Sequence, residues 1–306
     1  MLLILLSATW RSQAQTDNDA IMMEKNAFCV GPGYSYSSWK NYWEGTKKRE
    51  NLNLGKVSTQ MFAVMGNYGI TNKLNALFNI PYVVTKASAG TLHGQQGVQD
   101  LSLMLKYRPI NKKMGNARLA VLGIAGGSIP VTNYVADFLP MSIGVQSKTA
   151  MARLMIDYYY NSRWFATASA TYVFRSNIEL DRNSYYTDRM ILSNEVAMPN
   201  ATSFNIRLGY RTQWLIAEAV LNNWTTLGGF DISQNNMPFP SNRMNATAVG
   251  LNIKYVFKNI PQLSLTGGAS NVVAGRNVGQ SFNANGALFY VFDLSRKEKK
   301  TKTTND

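Results

Sequence analysis

Residues 57 to 84 alternate with a period of two. In the first arm Phe62, Val64, Tyr68 and Ile70 fall on one parity, and Met61, Ala63, Met65 and Asn67 on the other. In the second arm Leu74, Ala76, Phe78, Ile80, Tyr82 and Val84 alternate with Asn75, Leu77 and Asn79. Successive side chains of a strand point to opposite faces, so each arm predicts a strand with one apolar and one mixed face. Thr71-Asn72-Lys73 is a short turn between the arms, and the pair reads as an antiparallel hairpin. Tyr68 and Tyr82 stand toward opposite ends of the apolar stripes, where a membrane-spanning hairpin places its interfacial aromatic residues.

The same cell recurs along the chain. Strands are predicted over 26–37, 57–70, 74–84, 99–108, 116–129, 147–159, 163–175, 201–211, 214–226, 245–257, 263–274 and 281–292. The clearest is 99–108, where Leu101, Leu103, Leu105 and Tyr107 oppose Asp100, Ser102, Met104, Lys106 and Arg108. Short turns at 71–73, 109–115, 160–162, 212–213 and 258–262 alternate with longer connections, the longest at 176–200. Short turns on one side and long loops on the other are the pattern of an all-β, closed antiparallel transmembrane barrel. Closure follows because lipid cannot satisfy a free sheet edge. The expectation is about 12 strands across 26–293, with periplasmic turns and extracellular loops.

Composition agrees with that reading. The chain has 306 residues, 45% hydrophobic but only 16% charged, against about 25% charged in ordinary soluble domains. No apolar run approaches the roughly 18 residues of a spanning helix. The apolar start, Met1 to Ala8, followed by Ser12-Gln13-Ala14, reads as a secretory signal over 1–14, which leaves 15–25 as a short periplasmic segment. The single cysteine, Cys29, excludes an intrachain disulfide. Net charge is +14, part of it in the tail 294–306, read as solvated and disordered. A secreted chain without a basic-aromatic cluster does not suit nucleic acid. The expected surroundings are outer-membrane lipid, lipopolysaccharide included, and partner proteins of an outer-membrane complex.

If the apolar parity faces lipid, the other faces the lumen. The lumen-lining candidates are Asn75, Asn79, Asp100, Lys106, Arg108, Arg153, Asp157, Arg175, Arg207, Arg211 and Lys254, with Arg118 and Glu218 less firmly placed. This interior is polar and mostly basic. It fits a passage biased toward anionic or amphipathic solutes, and equally a salt-bridged brace of the wall. About a dozen strands leave a narrow lumen. The loop 228–244, stiffened around Met237, Pro238, Phe239 and Pro240, is the candidate constriction: it either folds inward or lies on the surface.

Val98-Gln99-Asp100-Leu101-Ser102-Leu103 leading into Lys106-Tyr107-Arg108, with Asn79-Ile80-Pro81-Tyr82-Val83 before and Gly127-Ser128-Ile129-Pro130 after, resembles the outer-membrane barrels of the meta-pathway phenol-degradation family. The richness in Asn, Tyr and Lys resembles Bacteroidota outer-membrane proteins. The family resemblance implies a small barrel linked to uptake of small, often hydrophobic molecules. An accessory barrel docked on a larger machine is the alternative. Catalysis is not expected. The acyl-transfer enzymes of this membrane need a histidine base, and His93 stands alone in a loop. No Cys/His set suggests a metal, and no cofactor is expected.

Overall fold

The computed structural model describes residues 16–233 and 237–295, so the expected signal segment and nearly all of the basic tail lie outside the described residues. Twelve long strands build the wall. They are β1 (Ala27–Trp39), β2 (Val57–Thr71), β3 (Leu74–Ala87), β4 (Asp100–Met114), β5 (Ala117–Pro130), β6 (Thr149–Tyr160), β7 (Trp164–Arg175), β8 (Ala201–Arg211), β9 (Leu215–Thr226), β10 (Asn245–Val256), β11 (Leu263–Arg276) and β12 (Phe282–Asp293). Each pairs antiparallel with its neighbours in sequence. β1 bonds to β2 on one side and β12 on the other, which closes the barrel.

The alternation becomes two physical surfaces. Leu103, Leu105, Leu154, Trp164, Phe204, Leu208 and Leu251 are all exposed on the outer wall. In water such a continuous apolar belt would far exceed the few hundred square ångströms that a soluble monomer tolerates, whereas lipid matches it. The opposite parity carries buried Asn75, Lys106, Asp157, Asn205 and Lys254. The chain is thus a closed transmembrane β-barrel.

One predicted turn is corrected. Residues 109–115 were expected to leave the sheet at Pro109, yet β4 runs on to Met114. A register shift between Tyr107 and Ile110 absorbs the proline, which cannot donate to the ladder. The turn itself is at Gly115, in the left-handed region with φ +56°. Another departure lies within 86–98, read as loop. Gln96–Val98 form a short strand on Tyr82–Val84, so β3 pairs with β4 only over Leu74–Asn79.

The long loops form a cap. Within 176–200, Ile178–Glu179 pairs with Glu195–Val196, and Tyr185–Tyr186 with Met190–Ile191. Ile178, Leu180, Tyr185, Val196 and Met198 pack with Ala136 and Phe239 from two other loops. Asn41–Glu44 and Lys47–Glu50 form a small hairpin after β1.

Candidate functional site: an occupied lumen

Residues 16–25, just before β1, enter the barrel rather than remaining at its periplasmic end. Asp17 and Asp19 explain why. Thr16 N–H donates to Asp19 Oδ2 at 2.6 Å and Ile21 N–H to Asp19 Oδ1 at 2.9 Å, which folds the segment into a tight turn. Lys106 on β4 is fully buried, and its Nζ donates to Asp19 Oδ1 at 3.2 Å and to the Thr16 carbonyl at 2.9 Å. Arg153 on β6 donates from Nη1 to Asp17 Oδ2 (3.1 Å), the Asp17 carbonyl (2.8 Å) and Asn18 Oδ1 (2.8 Å). Its Nε donates to Thr171 Oγ1 on β7 at 2.7 Å, which fixes the guanidinium in place.

Apolar contacts complete the seat. Ala20 packs on Ala120, Leu122, Ile124 and Met155, while Met23 packs on Cys29, Phe289 and Val291. Below them, Lys25 N–H donates to Asn72 Oδ1 and Asn26 N–H to the Gly69 carbonyl, anchoring the segment to the first turn. The expectation of a periplasmic segment at 15–25 is corrected: two carboxylates are drawn to inward cations that the wall does not neutralise. The sequence did hold a sign of this, since its inward residues were mostly cationic and Asp17-Asn18-Asp19 lay just upstream.

Of the predicted lumen residues, Asn75, Lys106, Asp157, Arg211 and Lys254 are buried, and the set divides into groups. Lys106 and Arg153 hold the segment. Arg207 pairs with Glu218 at 2.6 Å, and Asn252 donates to the same carboxylate at 3.0 Å. Asp157 accepts from Thr167 Oγ1 at 2.6 Å and from both Nη atoms of Arg211 near 3.4–3.5 Å. Arg211 also lies over the Phe165 ring, 4.0 Å from its centroid. Asn75 is buried beside Met23 and Asn67. Arg108 turns toward the short-turn end, while Arg175 reaches the Pro199 carbonyl at the loop end.

Between the segment and the walls remains a cavity of about 410 Å³. Its floor is apolar, from Met65, Leu77 and Met104. Its polar rim comes from Asn79, Arg207, Glu218 and Lys254.

The loop around Met237, Pro238, Phe239 and Pro240 does not constrict this space. Met237 is exposed, and Phe239 stacks on Tyr185 with centroids 5.2 Å apart in the outer cap. An apolar shelf offered by its neighbouring loops holds the aromatic ring there. The loop that does fold inward is 131–148. Tyr134 and Ile143 pack on Val83 and Met61, the Tyr134 hydroxyl donates to Asp100 at 2.7 Å, and Thr85 Oγ1 donates to the Met141 carbonyl at 2.6 Å. This reading was missed because nothing in the loop's own composition separates it from the others. Among the described residues no group of three or more His, Cys, Asp or Glu could hold a metal.

A crystal structure of an outer-membrane channel from Pseudomonas putida F1 shares the fold, with a TM-score of 0.71 and 15% identity over 92% of this chain and 100% of that one. The translocator domain of the autotransporter NalP from Neisseria meningitidis aligns with a TM-score of 0.45 and 11% identity over 89% of this chain and 90% of that one. The monoaromatic hydrocarbon channel TodX aligns with a TM-score of 0.44 and 12% identity over 88% of this chain and 91% of that one. Among curated proteins none matches the sequence significantly. The fold is that of a bacterial outer-membrane barrel. A family model matches residues 55–286, most of the wall, and the chain belongs to the family described as the putative MetA-pathway of phenol degradation.

Proposed function

We propose that the chain is an outer-membrane channel for small, largely apolar solutes. The observation that carries this is the cavity of about 410 Å³, the volume of a small-molecule pocket, with an apolar floor and a few placed polar groups. It lies inside the wall, beside a segment held by ion pairs and small hydrophobic contacts rather than by backbone pairing along its whole length. A solute with an apolar body fits against Met65 and Met104, with a hydroxyl or charged end toward Asn79, Arg207 or Lys254. The surrounding solvent for the wall is outer-membrane lipid, lipopolysaccharide included.

The family description supports a link to phenolic solutes, and a phenol-sized molecule suits the cavity. The reading is of a non-catalytic barrel. His93 is exposed on the loop after β3, does not line the lumen cavity, and so has no place from which to act on a bound solute.

The test is flux into liposomes containing the purified barrel. Phenol should enter faster than into empty vesicles, and placing a charge on the cavity floor with Met104→Asp should abolish the difference while the barrel stays folded. Entry equal to that of empty vesicles for phenol, benzoate and a hexose alike would sink the channel reading.

A further inference from the structure

A second space lies at the other end of the segment. It holds about 1200 Å³, opens on the short-turn face, and is bounded above by residues 20–24 of the segment. Its wall carries five cations, Arg108, Lys113, Arg118, Arg163 and Arg211, against one carboxylate, Glu24. Such a bias inside a low-dielectric wall concentrates anions.

Three of these arginines are built into the wall. Arg118 and Arg211 flank one ring, that of Tyr159, at 5.1 and 5.7 Å from its centroid. The Tyr159 hydroxyl donates to the Ser162 carbonyl at 2.8 Å or the Arg211 carbonyl at 3.0 Å, which fixes the ring. Arg108 donates from Nη2 to the Asn72 carbonyl at 3.3 Å and feels the like charge of Arg118. The Nε atoms of all three are buried without a hydrogen-bond partner. Arg211 itself is only 6% exposed. An unpartnered buried donor is costly, and more so when charged, so three at one mouth call for an acceptor.

The protein supplies little of one. Asp157 ion-pairs with Arg211, through its Nη atoms, is already bound by Thr167, and reaches Arg108 only as a more distant charge. Among the described residues neither Arg108 nor Arg118 is ion-paired. Guanidinium groups match planar and tetrahedral oxyanions through paired N–H donors.

We propose that this vestibule is an oxyanion-binding site, in which Arg108, Arg118 and Arg211 take the carboxylate or phosphate group of a small solute. Arg211 borders both this vestibule and the lumen cavity, so the site stands where the two spaces meet. The site stands on its own geometry and does not require that the barrel conduct.

Calorimetric titration of the full chain in detergent tests it, with sodium phosphate and sodium acetate as probes and sodium chloride at equal ionic strength as reference. Saturable binding of phosphate, acetate or both beyond chloride is expected, and which of the two binds identifies the group. R108Q/R118Q should weaken it at least tenfold, with the heat-modifiable gel mobility of a folded barrel unchanged. Should the double variant not fold, R118Q alone should weaken it about threefold or more, since Arg118 forms no ion pair that its loss would break. K86Q, on the outer loop side, should bind like the wild type. Absence of saturable binding of either oxyanion, or equal binding by the arginine variants, overturns the site.

Discussion

Two carboxylates decide what the lumen holds. Asp19 meets a fully buried ammonium, and breaking one partner of such a pair typically costs about 3–5 kcal/mol. Lys106→Met should therefore release the segment 16–25, read as faster protease cleavage there and higher ion conductance in planar bilayers. K106M/D19N removes both charges of the pair and should restore part of the protection, but not all, because buried Lys254 also draws on the Asp19 carboxylate. Unchanged cleavage in K106M would mean that the hydrophobic contacts of Ala20 and Met23 suffice. A second carboxylate, Asp231, ties the outer loops. Arg276 reaches it from Nε at 2.8 Å and from Nη2 at 2.5 Å, and Asn277 donates to it at 2.6 Å. The bond from Arg276 outweighs the opposing effect of burial and, helped by that from Asn277, holds the Asp231 carboxyl below its ordinary 3.8. A lowered carboxyl stabilises the folded arrangement above its unfolded value and loses that contribution as pH falls through the lowered one. The tie should thus hold in full above pH 3.8, weaken as pH falls below it and be lost once pH passes the lowered value, seen as protease access to 227–244. Asp231→Asn should show no such step.

At the scale of elements, the strands were legible because period-two alternation is a local property, and each strand of this wall has one face against lipid along its length. Leu103, Leu105 and Tyr107 point out as their parity requires, and Lys106 points in. The ends of strands were less legible. Pro109 reads as a breaker, and only the bulge beside it, a feature of pairing with β5, lets β4 continue. The segment 16–25 carries no periodicity, so its place depends on charges spread over β4 and β6, far away in sequence. Gly69 marks how closely it sits: a Cβ there would stand 1.9 Å from the Glu24 carbonyl oxygen. Gly69→Ala should therefore lift the root of the segment without unfolding the wall, giving raised conductance with normal heat-modifiable mobility. Normal conductance would show that the backbone moves aside at little cost.

The whole molecule has two parts of different origin. The wall is a repeat of one local rule and closes because lipid forbids an edge. The cap comes from loops whose contacts no local rule sets, which is why the sequence left open whether Met237 to Pro240 folds inward and gave no sign that 131–148 does. Phe239 ties its own loop to the loop 176–200. It stacks on Tyr185, meets Phe230 at 5.9 Å, and lies under the Arg182 guanidinium, 5.4 Å from its centroid. Truncating a buried aromatic typically costs about 3–5 kcal/mol. In this barrel that loss falls on the cap alone, because none of the wall's strand-to-strand bonds passes through Phe239. Phe239→Ala should thus leave the melting of the wall unchanged while 176–200 and 227–244 become open to protease from the outer side. A drop in wall stability of the same size would show instead that cap and wall fold as one unit.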